Sequence, residues 1–485
     1  MNKQITRVSV IVLMLFGALF VNLNLIMLWQ ADDLANHSAN RRVIIREYEI
    51  DRGPIVVGEE AIARSQPTDE GDYRYRRVYP EGELYGHLTG YYSIVLQRSG
   101  LEAALNEDLT GQTTQELAQN LGDLLGRTDQ AGNSVELTID PQVQQAARDA
   151  LDGRTGAVVA LEPDTGAVLA AYSNPTFDPN PLSSHDSREI TEAWEPLNEA
   201  DNRPLVDRTI AETYPPGSAF KLLVAAAALE AGMEPDDLFP DEVTFDVPQT
   251  EADIGNFGGG ACVDGDELTL HDAMRVSCNT PFARIGVDLG ADALQEQAER
   301  FGFNAALPYE LPSVESIFPY DLDVPATAQS AIGQRDVRTT PMQMALVAAS
   351  IVNDGEVPAP HVVASVRSPD GEVLRTTEPE RWTAPPGDGL AVSPQTANQL
   401  HAMMVDVVAS GTGTGAQIDG VEVGGKTGTA QTGADPSVWF VGFADDDVAV
   451  AVVLPDEGSD ATGGGVAAPI ARQVMQAAMN QGDDS

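Results

Sequence analysis

Tyr214-Pro-Pro-Gly-Ser-Ala-Phe-Lys-Leu-Leu-Val-Ala-Ala-Ala-Ala-Leu-Glu-Ala-Gly232 carries the decisive pattern of this chain. Pro215, Pro216 and Gly217 do not sit comfortably inside a helix, the alanine-rich run after them forms helix readily, and Gly232 suits a C-cap. The pattern predicts a helix with Ser218 at its N-terminus. Free backbone N–H groups and the positive end of the helix dipole there favour an anion forming at the serine oxygen. Lys221, three positions on, projects from the same face, so its amine can reach the hydroxyl. A buried lysine that has lost its proton is a base for such a serine. Ser-x-x-Lys alone is a weak signal, because an N-capping serine beside a solvated lysine has the same spacing.

Lysine usage strengthens it. The chain has only three lysines, Lys3, Lys221 and Lys426, beside 25 arginines. Arginine stays protonated under ordinary conditions, so Lys221 and Lys426 are retained for something arginine cannot do. Lys426 lies in Val423-Gly-Gly-Lys-Thr-Gly-Thr-Ala430. Gly424, Gly425 and Gly428 allow another segment to approach the backbone, and Lys426 offers a cation to a carboxylate. A Lys-Thr pair also occurs in phosphate loops, but the strand-loop-helix context of Gly-x-x-x-x-Gly-Lys-Ser/Thr is missing. Between these motifs, Arg275-Val-Ser-Cys-Asn-Thr-Pro281 offers Ser277 to relay a proton and Asn279 to hold an amide. A bare Ser-x-Asn is otherwise a common polar turn.

At 51.5 kDa the chain suggests two or three domains. Residues 8–31 carry no charge and are long enough to cross a bilayer. Lys3 and Arg7 precede this stretch and Asp32 and Asp33 follow it, which places the N-terminus in the cytoplasm and the remainder outside. A cleaved signal peptide is the alternative, but the stretch exceeds an ordinary h-region and lacks a small-x-small site, so a retained anchor is expected. The expected division is 1–31 cytoplasmic tip and anchor, 32–134 N-terminal domain, 135–485 catalytic domain.

Within these, residues 41–56 alternate like strands broken by Gly53-Pro54, 113–125 read as helix and 127–134 as linker. Six of the 11 tyrosines fall between Tyr73 and Tyr92, a pattern that fits strand aromatics better than an interaction patch. Val135–Asp140 reads as a strand, Pro141 as a helix start, and 158–171 as a hairpin turning on Pro163-Asp-Thr-Gly166. Strands at 438–443 and 447–454 and a helix over 466–479 end the chain, so a sheet assembled from both ends of the catalytic part is expected.

The net charge of −46 and pI near 4.2 disfavour nucleic acid as a partner. Acidic residues spread along the chain suit a solvated surface in salty surroundings. The six histidines, at 37, 87, 185, 271, 361 and 401, show no ligand-like spacing, so neither metal nor cofactor is expected. Cys262 and Cys278 lie in the part placed outside, where disulfides persist. A bridge closing that loop would stabilise by about 3 kcal/mol, two buried thiols being the alternative.

Ser-x-x-Lys, Ser-x-Asn and Lys-Thr-Gly in this order form the signature set of penicillin-recognising serine acyltransferases. With Asp51-Arg-Gly-Pro-Ile55, Gly90-Tyr-Tyr-Ser93, Gly100-Leu-Glu102, Ser330-Ala-Ile-Gly-Gln334, Thr340-Pro-Met-Gln-Met-Ala345 and Lys426-Thr-Gly-Thr-Ala-Gln431, the chain resembles class B penicillin-binding proteins, most closely the actinobacterial penicillin-binding protein A group. Arg335 stands where many relatives have a third glycine. The resemblance implies an α+β, serine β-lactamase-like transpeptidase domain, an antiparallel sheet with a helical subdomain. A pedestal, dimerisation-like domain and one transmembrane helix would precede it.

It further implies a membrane-anchored, extracytoplasmic D,D-transpeptidase that cross-links peptidoglycan stem peptides during growth or division and is acylated by β-lactams. A separate membrane-embedded glycosyltransferase would be its partner. Ser218 would be the nucleophile, Lys221 its base and Ser277 the proton relay, while Asn279, Lys426, Thr427, Gly428 and Thr429 would bind substrate. A D,D-carboxypeptidase shares these motifs but resolves the acyl-enzyme with water. A β-lactamase would need a deacylating base not evident after Ser277, and intact Ser218, Lys221 and Lys426 in a lysine-poor chain argue against the dead site of a non-catalytic scaffold or β-lactam sensor.

Overall fold

The apolar runs at the two ends of the catalytic part meet in one sheet. The computed structural model describes residues 2–25, 47–69, 73–112, 131–383, 389–431, 435–458 and 460–480. Strands β1 (Gly156–Leu161), β2 (Val168–Asn174), β3 (Val423–Ala430), β4 (Ser437–Ala444) and β5 (Val448–Leu454) lie in the order β3-β4-β5-β1-β2. Every neighbouring pair is antiparallel, with Val452 facing Val158 where the chain's end meets its earlier part. Every residue of β4 and β5 is buried. An antiparallel sheet reads as unbroken apolar runs only when both faces are covered.

Besides the N-terminal helix α1 (Asn2–Leu25), the helices that frame the sheet and the site are α2 (Pro141–Leu151), α3 (Lys221–Glu230), α4 (Asn279–Leu289), α5 (Pro341–Val352), α6 (Pro394–Ser410) and α7 (Ala468–Met479). Helices α2 and α7 pack on each other and on the sheet, whereas α5 lies across β1, β4 and β5 with α6 beside it against β3. The starts of α2 and α5 follow from local chemistry. Asp140 accepts hydrogen bonds from the backbone N–H of Gln142 and Val143, and Thr340 accepts one from Gln343, each ahead of a proline at the first helical position. Helix α3 packs among α4, α6 and the helix Ala291–Arg300, which together form the helical part beside the sheet.

A second, six-stranded sheet runs in the order Val373–Thr376, Val363–Arg367, Ser134–Leu137, Ile55–Val57, Glu60–Pro67, Tyr75–Val78. Residues 32–134 therefore do not build this sheet alone. The strand that was expected to open the catalytic domain pairs in parallel with Ile55–Val57, and a hairpin from 363–376 completes the other edge. The strand expected before Gly53 is absent over its described part: residues 47–50 form a turn, and the first strand begins at Ile55. Tyr48 is buried and stacked on Tyr92 at 4.6 Å, so aromatic packing overrides the local alternation. Residues 41–46, the helix expected at 113–125 and the linker residues 127–130 lie outside the described residues. Tyr79, Tyr85 and Tyr92 are buried, so these aromatics are mainly core.

The Asp51-Arg-Gly-Pro motif works through Arg52. Its Nε donates to Glu102 Oε2 at 2.5 Å while Arg77 Nε donates to Oε1 at 2.6 Å, all three side chains being almost wholly buried. Burial works to raise the Glu102 carboxyl, but Arg77 and Arg52 outweigh it and hold the group below the usual carboxylate range. At the N-terminus, Gln4–Leu25 is 22 residues long and apolar enough to cross a membrane. Residues 26–31 of the expected span lie outside the described residues.

Candidate active site

The nucleophile candidate precedes its helix rather than opening it. Ser218 lies in a single 3-10 turn, Gly217–Phe220, that runs into α3 at Lys221. The turn is fixed from three sides. Gly217 donates its N–H to Gly333 O at 2.9 Å, Tyr214 exchanges backbone hydrogen bonds with Thr339, and Trp439 Nε1 on β4 donates to Pro215 O at 2.9 Å. Strand β3, at the edge of the sheet, passes directly against it. A Cβ at Gly428 would lie 2.5 Å from Pro216 O, and Gly217, with φ of +52°, would place one 2.8 Å from Thr429 O. Glycine is required at both for the strand to come this close.

Ser277 occupies a position where helices usually place glycine. The helix Leu270–Arg275 ends with Ser277 N–H donating to Met274 O at 3.1 Å and Cys278 N–H to Ala273 O at 2.8 Å. This is a Schellman closure, and Ser277, with φ of 61°, is its left-handed residue. A side chain there costs backbone strain that glycine avoids, and it projects the hydroxyl from the tight corner before α4 begins at Asn279. Cys278 sits in the same corner, joined to Cys262 by a disulfide. Asp241 lies beside this pair, but both sulfurs are committed to each other, which leaves no thiolate for a metal.

Both lysines are 0% exposed and converge on Ser277. Lys426 Nζ donates to Ser277 Oγ at 2.7 Å and to Thr427 O at 3.0 Å. Lys221 Nζ donates to Ser277 O and to Asn279 Oδ1, each at 2.7 Å, and reaches Ser277 Oγ at 3.4 Å. Lys221 thus turns toward the Ser277 corner. Among the described residues the Ser218 hydroxyl, half-buried, has no hydrogen-bond partner. Burial, and then the nearby Lys426, hold Lys221 well below the ordinary lysine range, and burial pushes Lys426 down to about 7. A neutral amine and a readily discharged one therefore share one hydroxyl, an arrangement able to move protons near neutral pH. Thr427 Oγ1 meets Thr412 Oγ1 at 2.7 Å, and Thr429 Oγ1 accepts from Gly463 N–H at 3.4 Å.

Sequence reasoning passed over Asn256, which holds the corner in place. Its Oδ1 accepts from the N–H groups of Asn279 and Thr280 at 3.0 and 3.1 Å, capping α4 from a distant segment. Its Nδ2 donates to Glu242 O at 2.9 Å and Gly260 O at 3.1 Å. Asn279 Nδ2 in turn donates to Gly255 O at 2.9 Å. The available signals were Gly258-Gly-Gly260 and Cys262 just downstream, which mark an unusual backbone tied to Cys278.

The penicillin-binding protein transpeptidase domain matches residues 156–476, and the penicillin-binding protein A dimerisation domain matches residues 52–135. The chain belongs to the penicillin-binding protein transpeptidase family. The peptidoglycan D,D-transpeptidase PbpA of Mycolicibacterium smegmatis is 41% identical over 99% of this chain and 100% of its own length, and that of Mycobacterium tuberculosis is 39% identical over 99% of each. Among solved structures, the ceftriaxone acyl-enzyme complex of penicillin-binding protein A from M. tuberculosis superposes with a TM-score of 0.85 at 38% identity, covering 90% of this chain and 100% of that one. The imipenem acyl-enzyme complex of the same protein gives 0.84, at 38% identity over the same shares. The transpeptidase domain of this chain therefore has relatives in which a β-lactam is held covalently.

Proposed function

We infer that this chain is a peptidoglycan D,D-transpeptidase in which Ser218 forms the acyl-enzyme. The observation that carries the assignment is the pair of wholly buried lysines meeting at Ser277 Oγ beside the unpartnered Ser218 hydroxyl. Lys221, neutral and freed from the Ser277 corner, takes the Ser218 proton as Oγ bonds to the carbonyl carbon of a D-alanyl-D-alanine terminus. The N–H groups of Ser218 and Thr429 receive the oxyanion. The C–N bond then breaks, and the leaving amine takes a proton through Ser277 with help from Lys426. Asn279 orients the donor amide, and Lys426, Thr427 and Thr429 meet the terminal carboxylate, with Gly428 letting β3 close on the site. The amine of a second stem peptide attacks the ester, forms the cross-link and returns the proton to Ser218. A β-lactam follows the first half and stays attached.

Helix α1 anchors the chain in the membrane, and the charge asymmetry around it supports a cytoplasmic N-terminus with the catalytic part outside. A membrane-embedded glycosyltransferase would supply the strands to be joined, in growth or division. The test is intact-protein mass after incubating the detergent-solubilised chain with benzylpenicillin in high salt. A stable adduct on the wild type and none on folded Ser218→Ala is expected, followed by dimer formation from stem peptides. Absence of any adduct on folded wild type would overturn the assignment in favour of a scaffold or sensor.

A further inference from the structure

Two consecutive prolines leave the segment before Ser218 without backbone donors, since neither Pro215 nor Pro216 has an N–H. The N–H groups on either side are engaged elsewhere. Tyr214 donates to Thr339 O and Gly217 to Gly333 O, each at 2.9 Å, and Ala219 donates back to Pro216 O at 3.3 Å. These bonds run to the 333–339 segment or stay inside the turn, so none fixes the turn against the sheet. Trp439 on β4 supplies that tie. Its Nε1–H donates to Pro215 O at 2.9 Å, and among the described residues this is the one hydrogen bond between residues 214–220 and the five-stranded sheet. The path of the indole follows from a missing side chain. Trp439 stands directly opposite Gly428 in the β3–β4 ladder, and a Cβ at Gly428 would lie 3.0 Å from Trp439 Cβ and 2.5 Å from Pro216 O. With no side chain there, the indole has room to cross Gly428 and reach the turn. Thr429, the next residue of β3, is the one that Gly217 abuts, so the two N–H groups assigned to the oxyanion sit on neighbouring segments that Trp439 joins.

We propose that Trp439 is a positioning residue for acyl transfer, its indole N–H setting the spacing between the Ser218 and Thr429 N–H groups and so their fit to the oxyanion that forms as Ser218 Oγ bonds to the carbonyl carbon. This rests on the acyl-transfer assignment above. Trp439 is wholly buried and its single polar side-chain atom is engaged with Pro215 O, so it meets the reaction only through the turn. Loss of the N–H therefore weakens the bond-forming step and leaves the binding of the unreacted acyl donor unchanged.

The proposal is tested by time courses of intact mass on the solubilised full chain over a range of benzylpenicillin concentrations. Wild type is compared with Trp439→Phe and with a chain in which β-(3-benzothienyl)alanine replaces Trp439, the same shape with sulfur in place of N–H. Both variants should show a limiting first-order acylation rate about tenfold lower, with the half-saturating concentration unchanged. Damage to folding lowers the fraction of chains that react and not the rate of those that do, so the two effects are read separately from one time course. A benzothienylalanine chain that reacts at the wild-type rate would overturn the proposal, because only the N–H distinguishes it. So would a change confined to the half-saturating concentration or to the reactive fraction. Failure of the folded wild type to be acylated would instead overturn the acyl-transfer assignment itself.

Discussion

The charge of the molecule should set the speed of acylation. At pH 7 the chain carries −46, while a penicillin and the stem-peptide terminus are anions. A compact chain of 485 residues has a radius of gyration of about 23 Å, equivalent to a sphere of about 30 Å. Treated as a charged sphere in water, it repels an arriving unit anion by about 3 kcal/mol at about 10 mM salt, where the Debye length is about 30 Å. At about 1 M, where that length is about 3 Å, the repulsion falls to about 0.6 kcal/mol. The difference corresponds to a factor of about 70 in rate, and counter-ions held near the surface reduce it. A rise of at least about tenfold in the second-order acylation rate by benzylpenicillin is expected over that range, because the short contact to Lys426 survives screening. Ampicillin, whose side-chain ammonium cancels its carboxylate, should respond much less. Rates are read by intact mass, with circular dichroism recorded at each salt. A benzylpenicillin rate that stays flat or falls while the fold is intact would refute the reasoning.

Three further outcomes are expected. Lys426 loses its proton as pH rises through about 7, so the second-order acylation rate should decline on the alkaline side, and Lys426→Arg, permanently charged, should abolish that decline whatever its absolute rate. Asn256→Ala removes the cap of α4 and leaves buried backbone groups unpaired, lowering stability by about 2–3 kcal/mol in urea unfolding. Asn256→Asp, which keeps the acceptor but not the donor, should fall between. Glu102→Gln leaves two guanidiniums buried without their counter-charge and should cost about 3–5 kcal/mol in the same assay. Because the folded Glu102 carboxyl is held below its unfolded value, the stability it contributes to the wild type is present at neutral pH and lost as pH falls through the folded value.

The motif residues were legible in the sequence because each stands at a local structural event. Pro215-Pro-Gly217 stops one conformation before an alanine-rich helix starts, and Gly424, Gly425 and Gly428 mark a strand under close approach. Ser277 was legible as a chemical type and not as a conformation, since a serine in the left-handed corner looks like any other Ser-x-Asn turn. Asn256 escaped notice because its two acceptor bonds reach 23 and 24 residues along the chain, and no periodicity records such a contact. The turn of Lys221 toward Asn279 instead of Ser218 depends on packing across α3 and α4, which spacing within one helix does not report. The catalytic sheet was readable from apolar runs. Its six-stranded companion was not, because Val363–Arg367 pairs with a strand more than 200 residues earlier, and nothing local distinguishes it from a strand of the other sheet.

That companion sheet has a consequence for how such a protein can be rearranged. The segment matching the dimerisation domain, residues 52–135, supplies the strands Ile55–Val57, Glu60–Pro67 and Tyr75–Val78 and the first two residues of Ser134–Leu137, yet the hairpin at the opposite edge is encoded within the span matching the transpeptidase domain. A genetic exchange that replaced 52–135 with a foreign segment would carry half a sheet to an edge suited to a different one, because the junction falls inside Ser134–Leu137, the strand that joins Ile55–Val57 on one side to Val363–Arg367 on the other. The two parts can therefore diverge together but are poorly suited to being traded separately. Swapped versions should survive only when the 363–376 hairpin travels with the N-terminal piece.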